Sequence, residues 1–236
     1  RLHAQLPGGE NLSSVYDYQY LMAQQAGVRF ALNREVQVED VLALNPDVVL
    51  LATGARASQP TWLTDDWAAM GLIPSLREMG QQLINGIGRS PGRAVLVDHD
   101  HTEMTYAVAM RMATHFDQIT LVTSRERIAN DVSLINRKNI LQRLFNLDVE
   151  LICNVEPDTL DGLEAGRLVM KNVYNDSVSE LSDVVTVVHA SSRLPNQQLL
   201  RPLCANGLEV IAIGDCRAPR SLMAATHEGY HVASSL

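Results

Sequence analysis

Apolar residues in this chain follow helix spacing in some stretches and form strand-sized runs in others. Between Leu12 and Ala26 they fall at Val15, Tyr18, Leu21, Met22 and Ala26, the three-and-four spacing that lines one face of a helix, with Ser13 and Ser14 available as caps and Gly27 as a stop. On that spacing the Tyr16 to Met22 stretch reads as core rather than as a cofactor contact. A strand is predicted over Val28 to Leu32. Beyond Asn33-Arg34-Glu35-Val36, Asp40 and a short apolar piece, the break Asn45-Pro46-Asp47 precedes a continuous run, Val48 to Ala52, that ends on Thr53-Gly54. This is a crossover unit without its first strand, ending in a buried strand that runs into a glycine turn, where the missing Cβ lets a backbone approach a phosphate or a sugar closely.

From Ala57 to Gly92 prolines and glycines interrupt any long periodicity, as expected of a connection between domains. A fresh unit starts at Arg93: strand Ala94 to Val97, loop Asp98 to His101, helix Thr102 to His115 and strand Gln118 to Val122, which together make a βαβ unit. A helix over Leu134 to Phe145, a strand Val149 to Ile152, a hairpin region Leu168 to Tyr174 and a strand Val184 to Val188 complete it. The expected architecture is a parallel sheet with helices on both faces. Arg193-Leu194-Pro195-Asn196 opens a last connection, then Glu209 to Ile213 repeats the strand-into-glycine pattern at Gly214, and a helix follows over Ser221 to Ser234. The fold class is α/β, with residues 1–60 and 204–236 forming one domain, 61–92 a connection and 93–203 an inserted domain. No repeat at a solenoid period is present.

With 236 residues, 46% of them hydrophobic and 5% aromatic, the chain can bury a large core or two domains. A net charge of -8, without basic runs, excludes nucleic acid as the main partner. The longest apolar stretches fall far short of the ~20 residues of a membrane helix, so no membrane partner is expected. Cys153, Cys204 and Cys216 stand far apart and form no C-x-x-C, which leaves no disulfide framework and no cysteine-ligated metal site within the chain; a cytoplasmic location is the default. The start at Arg1, with no G-x-G-x-x-G ahead of the first crossover, marks the chain as an expected piece of a longer protein.

Several local patterns need weighing for chemistry. His227-Glu228-Gly229-Tyr230-His231 satisfies H-E-x-x-H, but only Val232 to Leu236 follow and none is a third ligand, so two histidines on a helix surface is the preferred reading. Asp98, His99, Asp100, His101 and Glu103 lie on adjacent positions of a tight turn and point in different directions. They read as a solvated acidic loop with capping residues rather than a metal site. Cys216 reads as a small buried hydrophobe behind its turn rather than an activated thiol. No G-x-S-x-G occurs. No catalytic residue and no metal ligand is assigned.

The order A-T-G-A at 52–55, a second βαβ unit, R-L-P-N at 193–196, then I-G-D-C-R-A-P-R at 213–220 before a helix with Ala224, Ala225 and Glu228-Gly229 resembles a known pattern. It is similar to the C-terminal region of the trimethylamine dehydrogenase and 2,4-dienoyl-CoA reductase family, NADH:flavin oxidoreductases with an old-yellow-enzyme-like N-terminal half. The likeness covers nearly the whole chain, and G-D-C-x-A-P-R is its most specific part. The resemblance implies a Rossmann-like, nucleotide-disulfide-reductase-type FAD-like domain, incomplete at its N-terminus, with an inserted NAD-like domain. It implies that the backbone at Val36, Ala52, Thr53 and Gly54 lies by the adenine end of FAD or ADP. Asp215 would take ribityl hydroxyls if the ligand is FAD, the N-terminus of the helix after Pro219 would turn its dipole toward anionic groups, and Gly214 and Ala224 count among the cofactor-binding positions. It also implies FMN and a 4Fe-4S cluster in a barrel outside this chain, an electron-acceptor protein as a possible partner, and a homo-oligomer at full length. Residues 98–105, Asp-His-Asp-His-Thr-Glu-Met-Thr, depart from the pattern, with three carboxylates and no glycine where an NAD(P)H diphosphate would sit. The dehydrogenase-like branch, which passes electrons to a protein, is therefore favoured over an NADPH-dependent dienoyl-CoA reductase; a silent scaffold or docking module is the other alternative. The chain alone is not expected to be active.

Overall fold

The computed structural model describes residues 1–236. In chain order the elements are α1 (Leu12–Gln25), α2 (Val38–Leu42), β1 (Val48–Leu51), β2 (Ala55–Ala57), α3 (Asp65–Met70), α4 (Leu76–Asn85), β3 (Ser90–Asp98), α5 (Glu103–Met112), β4 (Phe116–Thr123), α6 (Leu134–Asn146), β5 (Glu150–Cys153), β6 (Val155–Thr159), β7 (Leu168–Asn172), β8 (Val178–Leu181), β9 (Val184–Ala190), β10 (Arg193–Pro195), α7 (Leu200–Ala205), β11 (Glu209–Ala212) and α8 (Leu222–Ala233). No helix is long and apolar enough to cross a membrane. Two compact units share the chain: Arg1–Ala26 with Gln59–Ser192, and Gly27–Ser58 with Arg193–Leu236. The segment 1–60 is thus divided at Ala26/Gly27.

The first unit is built on a four-stranded parallel sheet in the order β5-β4-β3-β9. Ala94, Val95, Leu96 and Val97 of β3 are all fully buried, as a strand covered on both faces must be. Ala94 and Leu96 face a helical layer in which Leu83 of α4, Tyr106 and Met112 of α5 and Leu144 of α6 are buried. Helix α4 starts on a capping box, with Ser75 and Glu78 each accepting the other's backbone N–H, and stops at Gly86, whose φ of 88° is cheap only for glycine.

The opposite face departs from the expected helices. Val95, Val97, Val122 and Val187 pack against Trp62, Leu63 and Ile73, and against Val155, Leu168 and Met170 of an antiparallel sheet ordered β6-β7-β8. The alternation of Leu168 and Met170 gives β7 one apolar face, enough to cover the parallel sheet without a helix. Trp62, Leu63 and Ile73 also show that the proline- and glycine-broken connection supplies core.

Two further expectations need correcting. Helix α1 forms where predicted, with Asn11 rather than Ser13 or Ser14 at its N-cap, but no residue in it is buried and Tyr18, Leu21 and Met22 are exposed. Spacing put these side chains on one face of the helix, but that face carries no cover from its own unit. Val28 to Leu32 forms no strand; Val28, Phe30 and Leu32 are exposed, because a strand needs a ladder partner and β1 pairs only with β11.

The second unit contains the parallel pair β1-β11 and the antiparallel pair β2-β10. Helix α8 closes it, capped by Ser221, whose side chain accepts the Ala224 N–H.

Candidate functional site

Both glycine turns emerge at the same edge of the second unit. Leu51 pairs with Ala212 in parallel register, and the Ile213 N–H donates to the Leu51 carbonyl at 3.0 Å, so Ala52-Thr53-Gly54 and Gly214-Asp215-Cys216 leave the C-terminal ends of neighbouring strands side by side. In open α/β sheets that edge is where ligands bind. Gly54 has φ 72° and Gly214 φ 60°, a region costly for residues with a Cβ. A Cβ at Gly214 would also lie 3.4 Å from the Ala225 Cβ, which is how α8 comes close to the turn; around Gly54 the space is open.

The R-L-P-N connection stitches the two turns together. Thr53 Oγ1 lies 2.5 Å from the Asn196 carbonyl, the Asn196 N–H donates to the Gly54 carbonyl at 2.9 Å, and Gln197 Nε2 donates to the Cys216 carbonyl at 2.7 Å. Cys216 is fully buried, with Sγ 3.2 Å from the Asn196 carbonyl, as a small space-filling residue would be.

Asp215 is held at both oxygens. Oδ2 pairs with Arg193 Nη1 at 2.7 Å and Oδ1 accepts the Arg220 N–H at 3.0 Å, while Arg193 Nη2 donates to the Arg220 carbonyl at 2.9 Å. The Gly214 N–H donates to Glu228 Oε2 at 2.8 Å; Glu228 also pairs with Arg217, and with Arg220 at 3.3 Å. The Arg217 hydrogen bond, followed by that of Gly214, holds the Glu228 carboxyl below the usual carboxylate range. The glutamate of the H-E-x-x-H string therefore ties α8 to the turn and is not a free base. His227 and His231, one turn apart, line a cleft of about 600 Å³ together with Arg217, Arg220, Ala224 and Ser235. The Ala224 N–H is already taken by the Ser221 cap at 3.2 Å. Val36 is exposed ahead of α2, and neither a hydrogen bond nor a strand ladder joins it to Ala52, Thr53 or Gly54.

The corresponding turn of the first unit is closed by its own side chains. Asp98 and His101 are buried, so the expected solvated loop is corrected: Ala94, Leu96 and Asp98 share one strand face, and that face points into the helical layer. Asp98 Oδ1 accepts the His101 N–H at 2.8 Å and Oδ2 accepts the Tyr106 hydroxyl at 2.7 Å, with His101 Nδ1 at 3.2 Å. The same hydroxyl accepts the Ala129 N–H at 2.5 Å. Burial, reinforced by the Asp98 charge, pushes the Tyr106 phenol far above its ordinary range.

Sequence reasoning singled out the two glycine turns and Asp215, which the structure places side by side. It missed Arg193, Gln197 and Glu228 as the groups that fix them; the arginine opening R-L-P-N was the one visible signal.

No protein-family model matches the chain. A probable N-methylproline demethylase of Rhizobium meliloti (strain 1021) is 24% identical over 214 residues, 87% of this chain and 30% of that protein. Histamine dehydrogenase from Rhizobium sp. 4-9 has the same fold over 100% of this chain and 38% of its own, with a TM-score of 0.83 and 24% identity. Thioredoxin reductase of T. acidophilum shares the fold over 80% of this chain and 64% of its own, with a TM-score of 0.61 and 14% identity. The chain spans about a third of the length of the first two. In sequence the chain is similar to a part of the N-methylproline demethylase, and in fold it is similar to a part of histamine dehydrogenase and to thioredoxin reductase, all in a mixed α/β architecture.

Proposed function

We propose that the chain is the C-terminal nucleotide-binding-like part of an iron-sulfur flavoprotein oxidoreductase of the amine-dehydrogenase kind, which holds FAD or ADP and supports electron transfer to a partner protein. One observation carries this reading: Ala52–Gly54 and Gly214–Asp215 leave adjacent parallel strands side by side, in the crevice where such sheets take nucleotides. The residues fit such a group. Open space around the Gly54 Cβ position leaves its backbone approachable, and the Asp215 carboxylate, an acceptor with about four lone-pair sites, keeps capacity for sugar hydroxyls beyond its two contacts. A bound flavin would supply the electron relay; these residues bind and orient. Three cysteines on separate elements fall short of the four thiolates of a 4Fe-4S cluster, so the cluster, like the FMN that the family resemblance implies, is assigned to polypeptide beyond these residues.

Electron exit is favoured over NAD(P)H entry by the first unit. There the amide of His101, in the turn where a diphosphate would sit, already donates to the Asp98 carboxylate. One observation favours a silent scaffold instead: the Gly214 N–H and Asp215 both have partners within the chain, in Glu228 and Arg193.

The test is denaturing release of small molecules from the full-length protein, identified by mass. ADP with FMN is the expected result. FAD with FMN would move the protein to the NAD(P)H-fed reductase branch, and absence of any adenine nucleotide would leave the scaffold.

A further inference from the structure

We infer that the cleft along α8 is a second binding site, for a small organic phosphate whose phosphate group is held by Arg217, Arg220, His227 and His231. This goes beyond the nucleotide reading and does not depend on it. Ala224, His227, Glu228 and His231 share one face of α8 by their three-and-four spacing, and Arg217 and Arg220, on the loop that enters the helix, line the same cleft of about 600 Å³. That volume lies within the range of pockets that take small ligands.

The charges in the cleft are layered. Its single carboxylate, Glu228, is 9% exposed and is used up at both oxygens, Oε1 by Arg217 and Oε2 by Arg220 and the Gly214 N–H. The two guanidiniums lie outside it, 66% and 52% exposed, and each carries more N–H donors than these bonds use. Two positive charges over one hidden negative charge make the mouth of the cleft positive, although the chain as a whole carries -8. Neither imidazole is hydrogen-bonded within the chain, so each has a ring nitrogen free to donate. Donors from a loop and from a helix approach an anion from different sides, as the tetrahedral oxygens of a phosphate require, whereas a planar carboxylate is served by one guanidinium fork. The same guanidiniums oppose a divalent cation on the two histidines. Ala218, Ala224 and Val232 add apolar wall, which suits the carbon body of an organic phosphate and not the free ion.

The experiment is a calorimetric titration of full-length protein, freed of unbound nucleotide, with propyl phosphate, inorganic phosphate and butyrate. The expected result is saturable binding of propyl phosphate, tighter than that of inorganic phosphate or butyrate and weakened by added salt. Arg217→Gln should weaken it about tenfold and His231→Gln a few-fold, while Arg89→Gln, at an exposed arginine of the first unit, should leave it unchanged. Propyl phosphate that binds no tighter than inorganic phosphate would show an adventitious ion only. Binding that survives the Arg217→Gln/His231→Gln double variant would put the anion elsewhere, and release of bound ADP by propyl phosphate would give the cleft to the nucleotide itself. Each of these, like the absence of saturable binding, overturns the inference. If Arg217→Gln does not fold, His227→Gln and His231→Gln decide, since neither ring holds anything within the chain. Protein that carries no adenine nucleotide would fail the nucleotide reading and leave the phosphate titration to decide this one.

Discussion

The Tyr106 hydroxyl serves two buried groups at once, donating to Asp98 and accepting from the Ala129 N–H. Ala129 is fully buried with φ 51°, a left-handed conformation that a residue with a Cβ adopts only when its surroundings hold it there. Tyr106→Phe keeps the ring and removes the bridge, leaving a buried carboxylate and a buried amide each short of a partner. Unmade buried bonds cost about 1–3 kcal/mol each, more for a charged group, against about 1 kcal/mol gained by an ordinary bond. The variant is expected to lose about 2–4 kcal/mol in urea unfolding with an unchanged slope. A loss below about 0.5 kcal/mol would mean that water replaces the hydroxyl. None of this was legible in the sequence, where Asp98 read as solvated; pairings such as Asp98–Tyr106, Arg193–Asp215 and Gly214–Glu228 depend on where elements pack. The glycines of the two turns were legible, because a left-handed backbone leaves its mark in the residue type itself.

Among the elements, periodicity placed the helices α1, α5, α6 and α8 and the strands β1, β3, β4, β5, β9 and β11, but not the helices α3 and α4 inside the expected connection, and it wrongly gave a strand over Val28 to Leu32. Periodicity identifies an apolar face but not its cover, which is why α1 is exposed and why an antiparallel sheet lies where helices were expected. The ends of β3 and β9 show the same limit. His99 follows β3 and His189 lies in β9; in both, burial is the main cause of an imidazole pKa below its ordinary value of 6.5. Asp98, Glu156, His101 and Arg125 face His99, while Glu78 and His99 face His189, and the carboxylates only partly oppose the burial. A base whose folded pKa is lowered contributes stability that is complete above the unfolded value and is lost as pH falls below it. Unfolding stability is therefore expected to hold from about pH 8 to 7 and to decline from about 6.5 toward 5, by at most about 1.4 kcal/mol per pH unit for each histidine. His189→Gln should flatten that decline. A profile level down to pH 5 would show that the imidazoles are charged in the fold.

For the whole molecule, charge alone does not decide whether NAD(P)H is used. The net charge of -8 opposes an anionic cofactor only weakly, because exposed charges beyond about 8 Å are screened at physiological salt. Under the proposed function the deciding feature is local and buried. A diphosphate at the β3-α5 turn needs free amides, and the chain has filled that place with Asp98, which is fully buried and beyond the reach of salt. To admit the cofactor the fold would have to withdraw Asp98 from the His101 amide and from Tyr106 together, breaking two short bonds to a buried charge before any were gained. NADH or NADPH added anaerobically to the full-length protein should therefore leave the absorbance of the proposed flavin unbleached over minutes. Rapid bleaching would show that the turn opens to admit the nicotinamide cofactor, and would place the protein with the reductases.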